Sequence, residues 1–163
     1  LSKGHFSLLF AANIGVMALV NLINRPLLGY FPSAVLVRAQ VILQCLALAA
    51  LTVATLLDGS VWAVAPCIIL AIGLQGGIVP NNMANAMEFF PKLSGTASAL
   101  LGASQFTIAG AISSVSSSFG DLSLPTIAAG MLACSIGAVL LAWGAPGAVR
   151  QAKRSEPTDN IQA

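Results

Sequence analysis

VWAVAPCIILAIGLQGGIVPNNMANAM, residues Val61–Met87, carries no charged side chain between Asp58 and Glu88. At a rise of about 1.5 Å per residue, such a run more than covers a hydrocarbon core of about 30 Å. An uncharged stretch this long has no place on a water-facing surface. It reads as a transmembrane helix, and it sets how the rest of the chain is read.

Outward from it, charged residues mark four more apolar runs. Phe6–Asn24 precedes Arg25, and Ala39–Leu57 lies between Arg38 and Asp58. Leu93–Gly120 lies between Lys92 and Asp121, and Leu122–Val149 stops before Arg150. Composition agrees. Of 163 residues, 57% are hydrophobic and 7% charged, with a mean hydropathy of +0.90. A soluble domain carries about 25% charged residues. This composition argues against a soluble globular enzyme. It also argues against disorder, which needs low hydrophobicity and high charge. A net charge of +2 leaves no electrostatic footprint for nucleic acid. Lipid requires every backbone group to be satisfied internally, so the runs are helices. The expected fold is all-α: a polytopic transmembrane bundle of about five spans over residues 1–149. Residues 150–163 form a polar tail.

Five spans put the two ends on opposite sides. Arg25, Arg38, Lys92, Arg150, Lys153 and Arg154 then share one side, and Lys3 lies on the other beside Asp58 and Asp121. The positive-inside rule places the C-terminus in the cytoplasm. Trp62, Trp143, Phe89 and Phe90 fall near span ends, as interfacial aromatics do. Phe6–Ile23 is long for a signal-peptide core and lacks a small-residue cleavage site, so it reads as a span. Leu1 is not a start methionine, and the chain reads as the C-terminal part of a longer protein. Cys45, Cys67 and Cys134 sit in apolar stretches without metal-binding spacing and read as packing residues. No metal or cofactor is expected.

Polar side chains within the runs fall on stripes. At 100° per residue, Asn13, Asn21 and Asn24 lie within about 80° of arc. Gln40, Gln44 and Thr55 lie within about 60°, and Gln75, Asn82 and Asn85 within about 80°. Ser98 and Gln105 nearly eclipse. Such stripes face neighbouring helices or a watery cavity rather than lipid. They serve either as interhelical hydrogen bonds or as the lining of a solute path. Gln75, Gln105, Asn13 and Gln44 are the candidate substrate-lining residues.

Small residues form a second pattern. Gly95, Ala99, Ala103, Thr107 and Ala111 recur every four positions, and Gly73 and Gly77 repeat the spacing. Such faces let helices approach closely. Pro80 stands beside Gly76, Gly77, Asn81 and Asn82, where a kink or local opening is expected. Gly76, Pro80, Asn81, Gly95 and Arg25 are the candidate structural or gating residues. Glu88 reads as an interfacial partner of Lys92 or of a helix end, and no acid lies mid-span. His5 stands alone. No nucleophile–base set, phosphate loop or metal cluster is present.

Gly73-Leu-Gln-Gly-Gly-Ile-Val-Pro-Asn81, then Ala86-Met87-Glu88, then Gly95-Thr-Ala-Ser-Ala-Leu-Leu-Gly-Ala-Ser-Gln105-Phe106 together resemble drug-resistance transporters of the major facilitator superfamily. The branch they resemble is the Bcr/CflA (bicyclomycin and chloramphenicol resistance) group. The likeness covers Gly73–Phe106. It implies that the five spans correspond to helices eight to twelve of a twelve-helix carrier in the bacterial inner membrane. It implies proton-driven export of small amphipathic compounds, with coupling residues mostly in N-terminal helices beyond this chain. Its partners would be that substrate, protons, the lipid bilayer and those N-terminal helices. Arg25 falls where the second half of such carriers has a weak copy of a cytoplasmic loop signature. The acidic residue of that signature is absent here.

Two rival readings belong to other classes. One is a stand-alone five-span scaffold or assembly subunit without transport. The other is a membrane-embedded enzyme, which would need a mid-membrane His, Asp or Ser constellation that the runs do not contain.

Overall fold

A computed structural model describes residues 3–57, 59–118 and 123–144. They form helices α1 (Lys3–Leu27), α2 (Ser33–Leu56), α3 (Val61–Gly73), α4 (Gln75–Met87), α5 (Ser94–Ser118) and α6 (Leu124–Gly144). No strand occurs among the described residues. Because α3 and α4 follow one another directly, the helices make five membrane-length units. The protein is therefore an all-α, multi-span bundle. The polar tail, Asp58, Asp121 and the end of the fifth run lie outside the described residues.

The first connection is shorter than the charges imply. Arg25 and Arg38 were expected to bound a loop. Instead α1 continues to Leu27 with Arg25 in its last turn, and α2 already begins at Ser33. The chain reverses over residues 28–32. There the Gly29 N–H bonds to the Pro26 carbonyl at 3.1 Å and the Phe31 N–H to the Leu27 carbonyl at 2.9 Å. A charge marks where lipid ends. A helix ends only where its backbone ladder is interrupted, and Pro32 directly before α2 enforces that boundary.

α2 is the central helix, packing against α3, α4 and α6. One apolar cluster joins Ala47, Leu48 and Leu51 to Val64 and Ala71 of α3 and Ala128 of α6. A second joins Val37 and Val41 to Leu74 and Ile78. Arg38 fastens α6 at its C-terminal end. Its Nε donates to the Ala142 carbonyl at 3.0 Å, and its guanidinium lies 5.7 Å from the Trp143 ring centroid. A cation at orphan C-terminal carbonyls, over an aromatic face, is doubly favourable. Large apolar side chains such as Leu46, Leu140 and Leu141 point outward, as a lipid-facing surface requires.

The third span corrects two expectations. Its interruption lies at Leu74, and α4 runs unbroken through Pro80. At the step, the Gly77 N–H reaches the Leu74 carbonyl at 3.1 Å, a tightened i to i+3 turn. Pro80 removes only the donor that would meet the Gly76 carbonyl four residues back. That carbonyl accepts instead from Nδ2 of Asn21 at 2.9 Å. With its lost bond replaced, the helix has no reason to open at the proline.

Glycines set how closely α1 and α2 approach this span. A Cβ at Gly73, Gly76 or Gly77 would lie closer than 3.0 Å to Val16, to the Met17 carbonyl or to the Gln40 amide, respectively. The small-residue face of α5 has no such partner. A Cβ at Gly95, Gly102 or Gly110 would meet nothing within 4 Å. The expected close packing on that face is thus not made by another described helix.

Candidate functional site

Two polar regions border the third span. The first is a lock of amides joining α1, α2 and α4. Asn24 and Asn81 are paired reciprocally: Asn24 Nδ2 donates to Asn81 Oδ1 at 2.8 Å, and Asn81 Nδ2 donates to Asn24 Oδ1 at 3.0 Å. Gln40 Nε2 donates to the same Asn24 oxygen at 3.1 Å. Ser33 donates to Asn85 Oδ1. Asn81 is only 2% exposed. In hydrocarbon such groups must find protein partners; here Asn24 and Asn81 find each other, while Gln40 Oε1 is buried without one.

At 100° per residue Gln75, Asn82 and Asn85 share one stripe. The structure splits it. Asn82 is exposed, while Gly77, Asn81 and Asn85, spaced by four, meet Gln40, Asn24 and Ser33. The i, i+4 spacing of a glycine and two asparagines was the signal that identifies this face.

The second region is a half-open pocket of about 690 Å³ lined by α2, the start of α4, the end of α5 and α6. Gln44, Gln75, Ser113, Ser116, Thr126 and Ser135 give it polar groups, and Leu48, Ile112, Ile127 and Met131 give it apolar walls. This is the size and character of a small-molecule pocket. Gln44 also donates through Nε2 to the Ala71 carbonyl at 3.1 Å, in the turn before the Leu74 step. A side-chain amide thus supports the interrupted helix where it borders the cavity.

Of the four candidate lining residues, Gln44 and Gln75 lie in this cavity. Gln105 is exposed on α5 and does not line it. Asn13 is half-buried on α1, away from it, with its Oδ1 unpartnered. The wheel could not separate these cases, because it gives the phase of a residue on its own helix and not the partner across from it. Gly76 and Asn81 belong to the α1–α4 contact. Pro80 is exposed, its missing bond compensated by Asn21. Gly95 and Arg25 are exposed, whereas Arg38 binds another helix. Ser135, which belongs to none of the polar stripes, is a buried hydroxyl of the pocket.

A second hollow, about 730 Å³ and mainly apolar, lies at the α4–α5 corner between Phe89, Phe90, Leu93 and Leu100. No group of His, Cys, Asp or Glu that could hold a metal occurs among the described residues. No family model, curated protein sequence or solved structure matches the chain.

Proposed function

We propose that this chain is the C-terminal part of a secondary active efflux carrier, of the Bcr/CflA-like major facilitator type, moving small amphipathic compounds by alternating access and driven by protons. The observation that carries this reading is the step in the third span at Leu74 beside a neutral, partly polar pocket. Interrupted helices next to a mid-membrane cavity are how secondary transporters place substrate groups. Gln44 and Gln75 are positioned to meet a solute, and Gln44 also supports the step at Leu74. The amide lock holds α1, α2 and α4 as one body, which is what rocking against a second bundle requires. The proton-carrying group belongs to the N-terminal helices in this reading. The membrane is the bacterial inner membrane, with Arg25, Arg38 and Lys92 at the cytoplasmic end.

The test is export of a panel of amphipathic dyes by cells expressing the full reading frame around this chain. Replacing Gln44 and Gln75 together by Ala should change which dyes are exported. Unchanged export of every dye removes these residues from the path, and no export by the parent removes the transport reading. A membrane scaffold is the second reading, favoured by the open face of α5. A frame that starts at this chain, with α5 cross-linking to another protein and no dye movement, would select it.

A further inference from the structure

Hydroxyls in these helices mostly satisfy themselves. Thr52 donates to the Leu48 carbonyl, Ser98 to Gly95, Ser104 to Leu101 and Thr107 to Ala103, each within one helical turn. This back-bonding is the ordinary fate of a serine or threonine in a membrane helix. Ser135 departs from it. It is 7% exposed, its Oγ has no hydrogen-bond partner, and it lines the cavity between α2 and α6. A buried hydroxyl without a partner costs about 1–3 kcal/mol. Gln75 lines the same space.

We infer that this cavity is a binding site for an uncharged amphipathic small molecule, with Ser135 and Gln75 holding its polar end. The inference rests on the carrier reading but concerns occupancy rather than flux. Charge follows from the lining, which contains amides, hydroxyls, the Cys134 thiol and apolar groups and no carboxylate or cationic side chain. A charged ligand would leave water without a counter-ion, and that is costly in a low-dielectric site. Shape follows from the helices. Ser135 and Gln44 both sit inward of the Arg38–Ala142 contact, while Thr126 lies nine residues earlier on α6, about 13 Å away along the axis. The pocket is therefore elongated, with the buried Ser135 toward one end and Thr126 toward the other. A Cβ at Gly130, in the cavity wall, would meet nothing within 4 Å. A larger residue there fills the space without striking the backbone.

Cys134, also in the lining, supplies the reporter. With Cys45 and Cys67 replaced by Ala, the full chain in dioleoylphosphatidylcholine nanodiscs is labelled with N-ethylmaleimide. The probe is N-phenyl-1-naphthylamine, which is neutral, and the control is the tetraphenylphosphonium cation. The neutral probe should slow Cys134 labelling at least fivefold, and the cation should not. Gly130→Leu should abolish protection. Ser135→Ala should raise the apparent Kd about fivefold, the loss of one hydrogen bond. No protection, equal protection by the cation, or protection that survives Gly130→Leu overturns the inference. So does a Cys134 that reacts in detergent but is already shielded in nanodiscs without probe, since an acyl chain is then the occupant. A chain that passes this test but moves no dye loses the carrier reading alone.

Discussion

The third and fourth spans carry the same sequence signal and have different fates. Each has glycines and small residues at spacings that permit close approach. Around Gly73, Gly76 and Gly77 the permission is used, and α1 and α2 fill the space. Around Gly95, Gly102 and Gly110 the space is open. The difference lies in the amides. Asn21 and Gln44 donate to carbonyls of the third span, Asn24 exchanges bonds with Asn81 there, and Gln40 joins that pair. These donors are spent on the third span rather than on α5. A small-residue stripe allows contact, and complementary hydrogen bonds decide which contact forms.

The sharpest way to break this comparison is a bulky residue on each face. Gly76→Leu places atoms on the Met17 backbone and should abolish folded, monodisperse protein in size-exclusion chromatography. Gly102→Leu should leave stability within about 0.5 kcal/mol, as for other unpacked positions. Equal losses would show that α5 is packed in the membrane and would end the contrast.

A smaller effect belongs to the amide lock. Asn81→Leu leaves Asn24 buried without its reciprocal partner and should cost about 1–3 kcal/mol in thermal or denaturant unfolding. The double variant Asn24→Leu with Asn81→Leu should recover part of that loss. Additive losses would mean that the two side chains do not depend on each other.

Arg38→Gln comes next. It removes a charge from the end of α6 and from the Trp143 ring and should cost about 1 kcal/mol. Arg25→Gln, on an exposed face of the same end, should be neutral. A reversal of this order would relocate the cation that matters.

The smallest effect tests the proline compensation. Asn21→Leu should cost about 0.6 kcal/mol, the typical worth of an interhelical hydrogen bond. In a Pro80→Ala background the Gly76 carbonyl regains a donor from its own helix, so the cost of Asn21→Leu should shrink. An unchanged cost would show that Asn21 serves another purpose.

How much of this was legible in advance follows from the same residues. The uncharged run Val61–Met87 was enough for a membrane span, and the charged residues that bound them located the other four. Asn21, Asn24, Gln40 and Gln44 were legible as inward-facing, because lipid does not accept amides. Ser135 was not, since a lone serine in an apolar helix ordinarily bonds to its own backbone. Gln105 is exposed on α5 and apart from Gln75, because the phase of a residue on its own helix does not say which helix stands opposite.

The sequence by itself determined the all-α, multi-span class and the polar faces of α1 and α2, because hydrocarbon excludes charge and unpaired polar groups over a fixed thickness. Only the tertiary structure decided that the third span breaks at Leu74 and not at Pro80. It also decided that Gln44, Gln75 and Ser135 share a cavity and that α5 stands largely apart. Those outcomes depend on which groups on separate helices come within hydrogen-bonding reach, and spacing along one helix does not encode that distance.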